Sequence, residues 1–154
     1  MAYKRNTLII RNLYEFIKEK IESEGYEIGD ESGKMGIFDS FPTVEFNLPA
    51  ISIDFVMSNP AIEADLGYSA KRRYLAVIDI FARDKFERDN LVSILVEALE
   101  KNAIPLNDYN QGTPSKIALM QFENIEGSTV RIVSIGQEQE NRGKISFTIS
   151  ITSE

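Results

Sequence analysis

The residues of this chain that could act on a substrate are hydroxyls, lysines and carboxylates, because the sequence contains neither histidine nor cysteine. Histidine is the usual general base near neutral pH and the commonest metal ligand. Cysteine supplies thiolate nucleophiles, disulfides and zinc sites. Without an imidazole nothing obvious activates a serine or threonine, and only serine–lysine chemistry stays formally open. Glu63 and Asp65 are a carboxylate pair of the type glycoside hydrolysis employs, but in a connecting segment they read as surface acids. Gly112-Thr113-Pro114-Ser115-Lys116 has the wrong length for a phosphate cradle and sets a proline where backbone donors are needed. Asp30-Glu31-Ser32-Gly33 lacks the ligand spacing and closing glutamate of a calcium loop. The expectation is a protein that is not an enzyme and holds no metal or cofactor.

Length and charge narrow the remaining classes. A chain of 154 residues suffices for one domain, 1–154, with a substantial core. Apolar residues make up 43% and charged residues 27%, a globular balance. The 17 basic and 24 acidic residues leave a net charge of −7. That argues against general nucleic-acid binding, which needs a basic surface to displace counterions from phosphate. It suits solubility, or the wall of a passage that should not retain DNA. The apolar run Leu8-Ile9-Ile10 before Arg11 is too short for a signal peptide, and no stretch approaches a membrane span. The expected place is the cytoplasm, or a particle assembled there, with no membrane partner.

Hydrophobic periodicity outlines the elements that would position any functional residue. Asn6 can cap a helix over 7–24, in which Leu8, Ile9, Leu13, Phe16, Ile17 and Ile21 form one apolar stripe. Gly25 is a natural stop. Residues 29–41 read as a loop carrying Met35, Ile37, Phe38 and Phe41, which either tuck onto the core or await a partner. A strand over 50–56 sets Ile51, Ile53 and Phe55 on one face and Ser52 and Asp54 on the other. Residues 57–70, with Asn59-Pro60 and Gly67, read as a long hairpin tip before a strand over 71–83. Asp84 and Glu87 have capping-box spacing at the start of a second helix reaching about Asn102. Its expected buried stripe is Phe86, Leu91, Ile94, Leu95, Ala98 and Leu99, with Glu87, Arg88, Asp89, Glu97 and Glu100 facing water.

A short segment at 104–106 and a loop over 107–115 lead to three expected strands, 116–123, 129–135 and 144–152. Gly127, Gly136 and Gly143 mark the turns between them. The last strand points Ile145, Phe147, Ile149 and Ile151 inward and Ser146, Thr148, Ser150 and Thr152 outward. That uncharged outer ladder is either partly covered by another layer or subunit, or a plain exposed β-face.

The strand 71–83 carries the most information. Tyr74, Ala76, Ile78 and Ile80 make one face; Leu75, Val77 and Phe81 make the other, with Asp79 its polar exception. An antiparallel strand with a wet face alternates polar with apolar, so this one belongs at the centre of a sheet. The pattern predicts an α+β fold: an antiparallel or mixed β-sheet with two amphipathic helices packed on one face. Cover for the second face must come from later strands, from the 29–41 loop or from another protein. The densest basic cluster is Lys71-Arg72-Arg73. Three charges are too few for strong DNA binding; they fit contact with a neighbouring subunit, or a solvated strand start.

This layout resembles the tail terminator proteins of long-tailed bacteriophages: an N-terminal helix, a strand pair ending in Lys71-Arg72-Arg73-Tyr74-Leu75-Ala76-Val77-Ile78-Asp79-Ile80-Phe81-Ala82-Arg83, a helix over 84–102 and a closing amphipathic strand. The resemblance implies a structural virion protein, six copies of which ring the head-proximal end of the tail. Such a ring ends tube growth and offers the head-tail joining surface. Its partners would be the tail tube protein, neck or connector proteins and, in contractile tails, the sheath, with DNA only passing through the lumen. The resemblance carries over no functional residue; the residues themselves point to the tip 57–70 with the basic cluster, Ile62, Leu66, Tyr68, Lys71, Arg72 and Arg73, as the contact with neighbours. Another neck component is an alternative, as is a non-phage adaptor in which Phe38, Phe41 and Leu66 hold a partner.

Overall fold

The computed structural model describes residues 5–29, 31, 33–38, 47–65, 68–101, 103–108, 115–130 and 142–153. Its elements are α1 (Arg5–Ser23), β1 (Gly36–Phe38), β2 (Ala50–Asp65), β3 (Tyr68–Phe81), α2 (Lys85–Lys101), β4 (Ala103–Asp108), β5 (Ser115–Val130) and β6 (Arg142–Ser153). They form one six-stranded sheet in the order β1-β2-β3-β6-β5-β4. β1 runs parallel to β2, and every other pairing is antiparallel. The fold is therefore α+β with a mixed sheet, curled into a half-barrel around its helices.

The core face follows the sequence pattern. Leu8, Ile9, Leu13, Ile17 and Ile21 are buried on α1, as are Leu91, Leu95 and Leu99 on α2. They pack against Ile51 and Ile53 of β2, Tyr74, Ala76, Ile78 and Ile80 of β3, and Ile145, Phe147, Ile149 and Ile151 of β6. β3 lies between β2 and β6, the central place its two apolar faces require. α1 touches β4 at one edge of the sheet and β1 and β2 at the other, while α2 crosses β3, β6 and β5. Gly25 ends α1 with a φ of 95°, the left-handed conformation glycine tolerates. The Gly25 N–H donates to the Glu22 carbonyl and the Tyr26 N–H to the Ile21 carbonyl, a Schellman arrangement.

The face of the sheet away from the helices is also partly buried. Val77 is 6% exposed there, and Ala50, Ser52, Asp79 and Ser150 are buried beside it in the sheet. The second apolar face of β3 thus finds much of its cover without another protein. Ser146 and Thr148 of β6 are half-buried, so the outer ladder is a partly covered face. Thr152 lies among residues whose side chains are not described.

Four expectations about the elements change. Residues 36–38, read as loop, form β1 on the edge of β2; Met35 and Ile37 tuck onto the core and Phe38 is half-buried. Residues 57–65 and 68–70 are not a hairpin tip but the far ends of β2 and β3. Asn59 and Pro60 fall in a register shift between Met57 and Ala61, where a proline removes no ladder bond. The short segment at 104–106 is part of β4, and the strands expected at 116–123 and 129–135 begin as one strand, β5. A register shift between Glu123 and Glu126 takes up the irregularity, with Asn124 at a φ of 52°. Residues 131–135 lie outside those described.

Gly127 and Gly143 accordingly mark no turns. Both lie in strands beneath α2. A Cβ on Gly127 would stand 2.9 Å from Val92 Cγ1, and one on Gly143 2.7 Å from Val92 Cγ2. The β-branched Val92 has little rotameric freedom in a helix to move away. These glycines set the distance at which α2 meets the sheet. Gly143→Ala should destabilise the fold by about 1–3 kcal/mol through overpacking, measured by urea denaturation. Adding Val92→Ala to it should recover part of that loss.

Candidate functional site

Three polar clusters stand out, and each joins elements of the fold. The first is the carboxamide of Asn12, 4% exposed on α1. Its Nδ2 donates to the Leu8 carbonyl at 2.7 Å and the Asn107 carbonyl at 3.0 Å. Its Oδ1 accepts the Asn107 backbone N–H at 2.9 Å. One side chain thus satisfies both main-chain groups of an edge-strand residue, as a neighbouring strand would.

The second cluster starts α2. Asp84 Oδ1 accepts the Glu87 backbone N–H at 2.8 Å, the expected capping contact. Glu87 folds back to accept the Arg83 backbone N–H at 3.0 Å and its guanidinium. Glu87, expected to face water, is therefore 8% exposed, and Phe86, expected in the stripe, is 82% exposed. The cap explains the exchange: Glu87 lies one helical turn before the buried Leu91, and Phe86 does not. Burial pushes the Glu87 carboxyl up, but hydrogen bonds and charge from Arg83 outweigh it and hold the group below its ordinary value. Burial and the Glu87 charge push the nearby Tyr26 phenol up.

The third cluster lies on the face away from the helices. Arg142 donates to Asp79 Oδ1 at 2.9 Å and sits over the Phe81 ring, 5.3 Å from its centre. Asp79 is buried, so the pair locks β3 to β6 rather than offering a charge to a substrate. The hydroxyls of Ser52 and Ser150 have no hydrogen-bond partner among the described residues and are fully buried, which disqualifies both as nucleophiles. Among the described residues no group of three or more acidic side chains could hold a metal ion.

Five of the eight sequence-predicted contact residues belong to the β2–β3 ribbon. Asp65 pairs with Tyr68, Glu63 with Lys71, Ile62 with Arg72 and Ala61 with Arg73. On its other side β3 pairs with β6 only as far as Arg72, opposite Ile151, so the ribbon extends past the sheet. Ile62, Tyr68, Lys71, Arg72 and Arg73 are thus brought together on one projection. Phe38 is far from it in register, on β1 opposite Ser52. Phe41 and Leu66 lie outside the described residues. Sequence reasoning missed Asn12, whose only signal was an amide inside the apolar stripe of α1. It also missed the length of the ribbon, which Asn59-Pro60 concealed.

Comparison with known proteins adds no relative: no family model matches the chain, and no curated protein matches it.

Asn12→Ala strips the Asn107 amide of its partner and should cost about 1–3 kcal/mol. Hydrogen exchange should show the Asn107 amide losing protection before the rest of β4. The Glu87 carboxyl has a lower pKa folded than unfolded, so its stabilisation is present above the ordinary value of 4.5 and is lost as pH falls through the folded value. Glu87→Gln should therefore be less stable than the parent at pH 7 by about 1 kcal/mol, with the gap closing in acid, as denaturation across a pH series would show.

Proposed function

We propose that this chain is a structural subunit of a ring at the head-proximal end of a phage tail. The ring ends tube growth and provides the surface to which the head joins. It is built from copies of this chain, six in the reading the resemblance implies. It works by contact rather than catalysis, with no cofactor. Its partners are the tail tube protein, the neck or connector proteins and, in a contractile tail, the sheath. DNA crosses only the lumen, where a net charge of −7 repels rather than traps it.

The observation that carries the reading is the ribbon. Glu63–Asp65 and Tyr68–Lys71 lie beyond the last β3–β6 pair, and no described strand pairs with the outer edge of β2 from Ile53 to Asp65. Exposed backbone edges of this kind invite another chain. Phe86, at the opposite end of β3, is an exposed aromatic of the kind that anchors protein interfaces. A ring subunit seated between a tube and a head needs contacts at both ends.

Native mass spectrometry and electron microscopy test the proposal. The expected outcome is a closed ring of one copy number, alone or on purified tail tubes. A chain that stays single at every concentration and ignores tail tubes would remove it.

A further inference from the structure

We propose that copies join by strand addition, the β2 edge of one ribbon pairing with the β3 edge of the next. This rests on the ring reading and specifies its contact.

The two edges of the sheet differ. At the β4 edge the N–H and C=O of Asn107 are already taken by Asn12, and α1 lies against the strand. At Asn107 that edge is closed to a newcomer. At the other edge β1 covers only Ala50–Ser52, so from Ile53 to Asp65 β2 has no further strand beside it among the described residues. β3 has a second unpaired edge over Tyr68–Lys71, because its ladder with β6 stops at Arg72 while β6 runs two residues further on its pairing with β5.

The charges of these two edges are opposite. β2 from Ile53 to Asp65 contains Asp54, Glu63 and Asp65 and no basic residue. β3 carries Lys71 on its unpaired stretch and Arg72 and Arg73 directly after it, where the pairing with β6 begins, with no acidic residue from Tyr68 to Arg73. Adjacent strands place side chains of one face beside each other, where opposite charges attract and like charges repel. Two β2 edges would bring acids together, which disfavours a two-fold dimer. A β2 edge against a β3 edge continues the order already present within the ribbon, where Glu63 pairs with Lys71.

Direction agrees as well. β2 and β3 are antiparallel within one ribbon. Ribbons that point the same way around an axis therefore set β2 of one copy antiparallel to β3 of the next, and the ladder repeats between copies. The contact is head-to-tail, so it generates a ring when the rotation per copy closes and a filament when it does not.

The test uses two variants of the full chain. Glu63→Lys with Asp65→Lys makes both edges basic; Lys71→Glu with Arg72→Glu makes both acidic. Each should keep the parent circular dichroism yet assemble at least about tenfold more weakly, as expected when like charges meet at an interface. Mixed, they should form alternating one-to-one assemblies, resolved by native mass spectrometry. The chain with all four substitutions, which restores complementarity within and between ribbons, should assemble alone. Parent assembly should weaken as salt is raised. Variants that assemble like the parent, or a mixture no better than its components, would overturn strand addition and leave the ring standing. A variant that loses the parent circular dichroism hands the decision to the four-substitution chain, whose failure to assemble also overturns it. A parent that never assembles overturns both.

Discussion

One helix, α1, joins both edges of the curled sheet, and at the β4 edge it does so by a set of hydrogen bonds from Asn12. Buried Leu8, Ile9, Leu13 and Ile17 draw the helix into the concavity without specifying where the far strand must stop. The carboxamide supplies that specification, because both its oxygen and its nitrogen need the same main-chain residue. α2 adds a second constraint from the same side. Gly127 and Gly143 let it approach β5 and β6 closely, and Val92 occupies the space their side chains would have filled. The helices and the sheet are therefore fitted at both a hydrogen-bonded point and an apolar one.

Much of this was legible in the residues. The stripe of α1, the centrality of β3, the alternation of β6 and the Asp84–Glu87 cap all followed from spacing, because each rests on local periodicity. What escaped was what depends on distant partners. Gly127 and Gly143 look like turns until α2 is laid over them. Glu87 looks solvated until Arg83 closes on it. Pro60 looks like the end of a strand until the register shift around it is known. Asn12, inside an apolar stripe, gave no hint that it bonds a strand 95 residues away. Of the residues expected to make contacts, Ile62, Tyr68 and Lys71 to Arg73 share one ribbon because they are close in sequence on two consecutive strands. Phe38 was grouped by hydrophobicity alone, and β1 carries it elsewhere.

The three polar clusters each tie parts of the fold together. Asp79 and Arg142 tie two strands, Glu87 and Arg83 tie a loop to a helix, and Asn12 ties a helix to a strand. They also separate the rigid part from the part offered outward. The capped helices and the six-stranded sheet form the first, and the ribbon beyond Arg72 forms the second.

One sheet edge closed from within at Asn107 and the other left open give the molecule a sense of direction. Any array that grows through the open edge inherits that sense. Its subunits all face the same way around, and its two surfaces are chemically distinct: the ribbon tips lie on one side and Phe86 on the other. An array of this kind cannot be turned over without changing what it presents. It can therefore mark which end of a larger structure is which, using no information beyond the asymmetry of a single chain.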